Sequence, residues 1–520
     1  MLVKQTGCRV NRTLVSANLR CYSCTSLALT SDLWIMPNTL ARHTFLDPIH
    51  GAIRLTDLEL EIVDHPLFRR LHRIRQNGLL YLVFPAASHS RFEHSVGVLQ
   101  VASDIVDELQ VNAGVAAGKT TAAVRLPAQR RPGQATSLTP AEHDDLRRLV
   151  RLSGLVHDLG HGPFSHHFDP FAPQVDVLER LIKEDFAEGA YLLESLQSEC
   201  DRVGHEFMSC LLLAEICRQR KMSGDQQELS WDDARAVSAV ILKRPSLVPE
   251  EKRPLIRLAS DIVASAPADA DRMDYLLRDS CTIGVNYGLY DYNRLMKSFL
   301  PYVDPESGEL RLGIKFSGLR AVENFVQARF ELFVQVYYHK TNRAVQRMLQ
   351  RIADTADRDG MSPFDWEQLE SLYETYIFLS DDYFFRLLLG KGEHALEHSD
   401  INDIAKRIHI RRLWKRVYEG ENADAVAASI DEAFPAAGAF VDTIRPKATK
   451  DLDEGASILV RGDEGVYQKK ENTKWTSESS IIEALHENEK TLKRVYVTTS
   501  DPKELENCRA IGWKCEEERE

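Results

Sequence analysis

The sequence lacks an apolar run of the ~18 residues that a membrane-spanning helix needs, and it has no excess of positive charge. Its net charge of −13 argues against a protein that coats nucleic acid, so nucleic acid is not the favoured partner and any polyanion site is expected to be local. The nine cysteines are odd in number and thinly scattered over 520 residues. This pattern is not that of a disulfide-stabilised secreted protein, and it predicts a reducing compartment, the cytoplasm, without a membrane partner.

Acidic residues are also missing from the start of the chain, where Asp32 is the first. This basic stretch, rich in Ser and Thr, overlaps in composition with organelle transit peptides. We interpret residues 1–35 as an extension without fixed structure ahead of Met36, in preference to a targeting signal.

Helical spacing of apolar residues begins near residue 57 and continues, with loops, to about residue 440. Residues 111–139, rich in Ala, Gly, Pro and Thr, are predicted to be a flexible surface insertion, and a run without Gly or Pro predicts one long helix over 319–352. Strand-like runs around a short helix predict a small α/β lobe over 441–520. The predicted fold is therefore mainly α, with a helical core over 36–440 and a small C-terminal α/β lobe.

Histidines are concentrated in one part of the chain, since seven of the 17 fall between residues 89 and 167. Several stand beside acids and glycines, in the order His157, Asp158, Gly160, His161, Gly162, His166. Imidazole and carboxylate donors together suit Mn, Fe, Co, Ni or Zn, whereas carboxylates alone suit Mg or Ca. If this segment is helical, His157 and His161 share one face and Asp158 points about a quarter turn away.

Several motifs carry a family resemblance: DPIHG at 47–51, VFPAASH at 83–89, SHSRFEHSVG at 88–97, LVHDLGHGPFSHHFD at 155–169 and DADRMDYLLRD at 269–279. With them the chain resembles the HD-domain metal phosphohydrolases. It is most similar to the SAM-and-HD-domain deoxynucleoside triphosphate triphosphohydrolases and their bacterial relatives, over about residues 43–350 and without a SAM domain. The resemblance implies a helical HD-domain core and a divalent metal cofactor, which is Mn, Fe, Mg, Ni or Zn. It also implies hydrolysis of dNTPs, dGTP among them, to deoxynucleoside and inorganic triphosphate.

Position by position, the resemblance implies four metal ligands, His94, His157, Asp158 and Asp271. Two imidazoles and two carboxylates leave coordination positions open for water and a phosphate oxygen. From spacing alone Asp269 is a rival ligand, and helix capping is an alternative role for Asp271.

The resemblance also implies three catalytic groups, His161, His205 and Glu206, with His205 and Glu206 acting as a pair. It implies eight substrate-binding residues: Gln76, Arg91, His166, Arg272, Tyr275, Asp279, Arg329 and Tyr337. Tyr275 and Asp279 follow Asp271 at intervals of four, so one helix face is predicted to run from the metal toward the sugar. In the resembling enzymes the Tyr leaves no room for a 2′-hydroxyl, and the residues matching Asp279 and Gln76 hold the 3′-hydroxyl.

One basic run contains no acidic residue and comprises Arg69, Arg70, His72, Arg73 and Arg75. We predict that it forms a solvated helix face, or a surface that attracts a phosphate group or another subunit. The resemblance implies an activating nucleotide site near it, with Asp64 retained, and a homo-oligomer, either tetramer or hexamer. Family positions are changed at Arg69, His72 and His43, so activation by a guanine nucleotide stays open.

Two other functions remain open at this point. The first is an HD phosphohydrolase acting on ribonucleotides, monophosphates or cyclic nucleotides, because Phe333 stands where the family has His and Asn77 where it has an apolar residue. The second is a catalytically silent scaffold that binds nucleotides and works by assembly.

Overall fold

The computed structural model describes residues 43–116, 130–196, 201–223, 229–444, 452, 456–461, 467–471, 474–487 and 491–517. The extension predicted over residues 1–35, and residues 117–129 of the predicted insertion, lie outside the described residues. The described residues all belong to one compact unit.

Helices dominate the chain up to residue 296, as predicted. They are α1 (Asp57–Asp64), α2 (Pro66–Arg69), α3 (Arg91–Ala116), α4 (Pro140–Val156), α5 (Val175–Asp185), α6 (His205–Ser223), α7 (Trp231–Ile241), α8 (Arg253–Ala264), α9 (Ala270–Ile283) and α10 (Tyr292–Met296). Thr139 begins α4 with a reciprocal capping box to Glu142, which explains why helical patterning resumes there. Since α3 continues to Ala116, residues 111–116 of the predicted insertion are helical.

Helices and strands are mixed in the second half. The helices are α11 (Leu319–Leu332), α12 (Lys340–Arg358), α13 (Leu369–Phe378), α14 (Asp381–Leu388), α15 (Ser399–His409), α16 (Ala423–Ala433), α17 (Trp475–Glu478), α18 (Ser480–Glu487) and α19 (Pro502–Glu517). The strands are β1 (His43–Asp47), β2 (Gly51–Leu55), β3 (Phe299–Val303), β4 (Leu310–Lys315), β5 (Lys415–Glu419), β6 (Ala439–Ile444), β7 (Ser457–Arg461), β8 (Tyr467–Lys469) and β9 (Leu492–Val497). The predicted fold class, mainly α with a small sheet region near the C-terminus, is confirmed.

The single helix predicted over 319–352 is wrong. The α-helix ends at Leu332, a π-helical turn covers Phe333–Tyr337, and a new helix begins at Lys340 after an extended His339. The His339 ring caps α12 by accepting from the Thr341 N–H. Nothing in the composition of this run marks the break, because it contains neither Gly nor Pro.

The strands form three sheets. β1 and β2 make an antiparallel hairpin, β5 and β6 flank β9, and the third sheet has the order β3-β4-β7-β8. In that third sheet β7 pairs in parallel with β4, joining Ile458 to Ile314. Strands from both sides of the boundary predicted at residue 441 therefore share two of the sheets.

Helix α3 lies at the centre of the molecule and packs against α4 and α9. Most of its described residues are buried, and Val98, Val101 and Ile105 are fully buried, as expected for a helix covered on several sides. Glycine allows the close approach to α9, since a Cβ on Gly97 would fall 2.0 Å from the Asp274 carboxylate. This packing brings the start of α3, the end of α4 and the start of α9 together.

In the part of the chain that the structure describes, every helix is too short or too polar to cross a lipid bilayer.

Candidate metal and phosphate site

Three helix ends contribute the predicted metal ligands. His94 lies in the first turn of α3, His157 and Asp158 directly follow α4, and Asp271 lies in the first turn of α9. The His94 and His157 Nε2 atoms lie 3.1 and 3.8 Å from Asp271 Oδ1. The structure therefore brings the distant Asp271 to the histidines, as the predicted site requires.

Asp158 lies beside the same cluster. Its carboxylate oxygens are 3.6 Å from His94 Nε2 and 3.4 Å from both His157 Nε2 and His161 Nε2, and it also forms an ion pair with Arg91. Arg91 and the other nearby positive groups hold the pKa of Asp158 well below its usual range, although burial opposes this. Asp158 is therefore ionised and available to a cation.

The other ring nitrogens of the two histidines are fixed by partners behind them. His94 Nδ1 donates to Asp274 Oδ2 at 2.8 Å, and His157 Nδ1 donates to the Gly154 carbonyl at 2.8 Å. These contacts direct both Nε2 lone pairs toward Asp271. Among the described residues, neither buried Nε2 atom has a well-directed hydrogen-bond partner.

This arrangement fits a divalent metal ion. Donor atoms of His94, His157 and Asp271 all lie within 4.8 Å of one another, and mixed imidazole and carboxylate donors suit a borderline metal. The site is strongly negative: burial opposes protonation of His94, yet its contacts with Asp271 and Asp274 raise its pKa to about 10. A cation bound in the site would balance the negative charge of the same carboxylates, so His94 would not need to carry a proton.

The structure separates the rival carboxylates Asp269 and Asp271. Asp269 is the N-cap of α9, where Oδ1 accepts from the Arg272 N–H at 2.7 Å and Oδ2 pairs with the Arg272 side chain. Asp271 instead faces the histidines. The capping role that spacing left open for Asp271 belongs to Asp269.

Three histidines stand together beside Asp158. The His161 and His205 rings stack with centroids 3.7 Å apart, and the exposed His166 ring lies 5.2 Å from each. His205 Nδ1 is 3.3 Å from the exposed Glu206 carboxylate, so the predicted pair is in contact. Burial lowers the pKa of both His161 and His205, and Arg91 and His205 lower that of His161 further, so both rings hold a proton less readily than a free imidazole.

The helical geometry expected for 157–161 is wrong, although its residues do meet. α4 ends at Val156, His157 is its C-cap, and the chain turns through Asp158 to Gly160. Close packing requires Gly160, since a Cβ there would lie 2.1 Å from the His205 carbonyl oxygen. The turn, not a helix face, places His161 over His205.

The residues predicted to face the sugar are partly brought together. Asp279 accepts from Tyr337 Oη at 2.5 Å and lies 2.7 Å from His89 Nε2. Tyr275 is one helical turn away on α9 and is half-buried. Burial raises the pKa of Tyr275, and the neighbouring Arg329 opposes that rise.

The remaining predicted contacts lie on the surrounding loops and helices. The Arg329 guanidinium carbon is 5.4 Å from the Phe333 ring centre, as in a cation–π contact. The Gln76 side-chain oxygen is buried without a hydrogen-bond partner among the described residues. Arg272 is held by Asp269 at the start of α9.

Sequence reasoning missed three residues that shape the site. Asp274 orients His94, His89 contacts Asp279, and Ser165 accepts from Arg91 Nη2 at 2.7 Å. Asp274 also pairs with Arg278 four residues later, a helical spacing that was available as a signal.

The basic run before α3 is not a continuous helix. α2 ends at Arg69 and a 3₁₀ turn covers Arg70–Arg73. Arg70 is fully buried and donates to the backbone carbonyls of His161 and Leu159, and His72 stacks on Phe92 at 3.6 Å. The prediction of a solvated face is therefore wrong for Arg70, which supports the turn that carries His161.

Comparison with known proteins agrees with this geometry. The HD domain family profile matches residues 91–244. This range includes His94, His157 and Asp158 but not Asp271. The uncharacterized YwfO of Bacillus subtilis is 31% identical over 74% of this chain and 73% of its own length. A Dictyostelium discoideum protein named as a deoxynucleoside triphosphate triphosphohydrolase SAMHD1 homolog is 31% identical over 72% of this chain, which spans 59% of that relative.

A solved structure extends the similarity to most of the fold. The crystal structure of a hypothetical protein from Aquifex aeolicus is 26% identical, with a TM-score of 0.59, over 90% of this chain and 99% of that one. The profile match, the relatives and the fold lead to the same conclusion: this chain belongs to the HD-domain phosphohydrolase family.

Proposed function

We propose that this protein hydrolyses deoxynucleoside triphosphates to deoxynucleoside and inorganic triphosphate with a divalent metal. The observation that carries the proposal is the meeting of His94, His157, Asp158 and Asp271 beside a cluster of histidines and arginines. The name of the Dictyostelium relative supports the choice of substrate.

A bound divalent metal lowers the pKa of a water molecule and polarises a phosphate oxygen. The four ligands would hold that metal, and the hydrogen bonds of the His94 and His157 Nδ1 atoms would keep the two rings oriented. Arg91, already directed by Asp158 and Ser165, supplies positive charge for the phosphates, and Arg272 adds a second cation.

We assign proton transfer to the stacked histidines, His161 and His205. Water adds its oxygen to the α-phosphorus and gives up one proton, the bond from that phosphorus to the 5′-oxygen breaks, and the 5′-oxygen takes up one proton, so the step balances. Burial lowers the pKa of His161 and His205, whereas the negative charge of a bound triphosphate favours their protonation. Either ring then donates to the leaving oxygen, with Glu206 orienting His205.

Deoxyribose recognition is assigned to α9. Tyr275 lies on α9 between the proposed metal ligand Asp271 and the hydrogen-bonded Asp279, and we assign its ring to the 2′ position, where it would leave no room for a hydroxyl. Asp279 and Gln76 would contact the 3′-hydroxyl. A homo-oligomer and a nucleotide activator belong to the same proposal, and light scattering with and without dGTP or GTP tests them.

The decisive experiment incubates purified protein with each dNTP and Mn, Fe or Mg, and separates the products by ion-exchange chromatography. Inorganic triphosphate is the expected product. Release of diphosphate or monophosphate would overturn the proposed reaction.

Paired variants test the site. We expect His157→Ala with Asp158→Ala to lower kcat by at least about 10³-fold, because the metal and its water are lost. His143→Ala with Asp144→Ala removes another His-Asp dipeptide, from the first turns of α4, and is expected to leave activity unchanged. Full kcat in the first variant would overturn the proposed metal chemistry, whereas nucleotide binding without any turnover in the wild type would favour the silent scaffold.

The second candidate is an HD phosphohydrolase acting on ribonucleotides, monophosphates or cyclic nucleotides. It is favoured by Phe333, whose ring lies against Arg329 where a side chain able to donate to phosphate is expected. Equal rates on GTP and dGTP would support this candidate.

A further inference from the structure

A strained turn carries the residue that directs Arg91. Phe164 and Ser165 have φ values of 57° and 60°, in the left-handed region that side-chain-bearing residues rarely adopt. The Ser165 hydroxyl accepts from Arg91 Nη2 at 2.7 Å and donates to the Gln76 carbonyl at 3.2 Å. Such a backbone persists only where its surroundings hold it.

The first residue of α14 holds this turn. Asp381 is 1% exposed, and its Oδ1 accepts from the Phe164 N–H at 3.0 Å. Its Oδ2 accepts from the Arg75 N–H at 3.0 Å. The same helix packs the Phe164 ring against Phe384 and Phe385, with both centroid distances 5.8 Å.

Helix formation does not require this carboxylate. Ser380, not Asp381, is the N-cap of α14, where its hydroxyl accepts from the Tyr383 N–H. Burial raises the pKa of Asp381 to about 6, although the hydrogen bonds that it accepts from two backbone N–H groups oppose this rise. Burying a carboxylate costs free energy unless hydrogen bonds compensate for the lost hydration. Here the compensating hydrogen bonds come from the two segments beside the site.

We propose that Asp381 is a positioning residue: it holds the 164–165 turn and the 75–76 segment so that Ser165 keeps Arg91 directed at the substrate phosphates. The inference rests on the proposed function, in which Arg91 binds phosphate. Asp381 touches neither the metal ligands nor the substrate, so its loss is expected to weaken phosphate binding while the metal is retained.

The test measures binding of inorganic triphosphate to metal-loaded full-length protein by calorimetry, together with metal content and Tm. Asp381→Asn keeps the shape of the side chain, but its NH₂ group faces one of the two backbone N–H groups and cannot accept a hydrogen bond from it. We expect it to weaken triphosphate binding about 10-fold, a loss of about 1.4 kcal/mol, with unchanged metal content. Asp382→Asn, an equal charge change at the exposed neighbour in the same helical turn, is expected to bind as wild type.

A double-mutant cycle connects Asp381 to the turn. Ser165→Ala is expected to weaken binding similarly, and the double variant about as much as either single one, since both act through Arg91. Additive losses, wild-type affinity in folded Asp381→Asn, or a parallel loss of metal would each overturn the inference. If Asp381→Asn does not fold, Asp381→Glu, which shifts both acceptors by one methylene, is measured instead with the same expectation.

The binding measurement involves no turnover. A protein that binds triphosphate but releases another product from dNTPs therefore loses the proposed function and keeps this inference. Wild-type protein that binds no triphosphate would overturn both.

Discussion

At the scale of single residues, the candidate site depends on a carboxylate that does not face the metal position. Asp274 is fully buried and contacts His94 Nδ1, His50 Nε2 and the guanidinium of Arg278. Arg278 and the other contacts hold the pKa of Asp274 well below its usual range, despite burial. A full negative charge behind His94 raises the basicity of its opposite nitrogen and fixes the ring.

We expect Asp274→Asn to weaken metal affinity by about 10- to 100-fold, because the neutral amide orients and polarises His94 less well. Elemental analysis after dialysis against graded chelator concentrations measures this. Asp104→Asn, a half-buried acid further along α3, serves as the control and should retain the metal. Unchanged affinity in folded Asp274→Asn would contradict the role given to Asp274.

His167 is expected to make stability depend on pH. Burial, with His166 and Arg343 nearby, lowers its pKa from 6.5 to about 4. The unfolded chain therefore takes up a proton at a pH where the folded chain does not, and stability falls as the pH drops from about 6.5 toward about 4. Between pH 7 and pH 5 the Tm of wild type should fall more than that of His167→Gln, while the exposed-site variant His394→Gln should follow wild type. Equal Tm decreases in wild type and His167→Gln would refute this role.

At the scale of elements, one regular helix and one irregular segment carry the residues that we propose to bind the sugar. α9 places Asp271, Tyr275 and Asp279 on one side, as their four-residue spacing predicted. On the opposite side the π turn at Phe333–Tyr337 brings the Tyr337 hydroxyl to Asp279. The side chains of Arg329, Phe333 and Tyr337 still meet across this turn: the Arg329 guanidinium lies over the Phe333 ring, and the Phe333 and Tyr337 ring centres are 5.0 Å apart.

Tyr275→Ala is expected to reduce the preference for dGTP over GTP by about 10- to 100-fold, because the space at the 2′ position opens. The ratio of kcat/KM for the two nucleotides measures this. Tyr290→Phe removes a buried hydroxyl that donates to the Met273 carbonyl behind α9, and it should leave the ratio unchanged. An unchanged ratio in Tyr275→Ala would place the sugar elsewhere.

At the scale of the whole molecule, the C-terminal residues are joined to the helical core. β9 is the central strand of its sheet, and Tyr496 is fully buried in the main hydrophobic cluster. The Tyr496 hydroxyl donates to the Lys340 carbonyl at 2.8 Å, and Arg494 donates to the Tyr338 carbonyl. Both contacts fall just after the π turn that carries Tyr337.

A chain truncated after residue 440 is therefore expected to lose solubility or activity. It lacks β7 and β9, which leaves β4 and β5 with exposed edges and uncovers apolar core residues. Expression, gel filtration and the dNTP assay measure the outcome. Truncation after residue 501, which removes the whole of α19 and leaves the described strands in place, is the milder comparison. Full activity of the shorter chain would show that the site does not depend on the sheets.

The sequence by itself determined the helical class, the clustering of histidines and acids, and the family resemblance, because these depend on residue type and on spacing within one element. His157 next to Asp158 and the period of four in α9 are local, so they could be predicted. Tertiary structure alone decided that Asp269 caps a helix while Asp271 faces the histidines, that Arg70 is buried, and that the long helix breaks near residue 338. Those outcomes depend on contacts between segments far apart in the chain, and local patterns carry no information about which distant carbonyl, ring or carboxylate will be the partner.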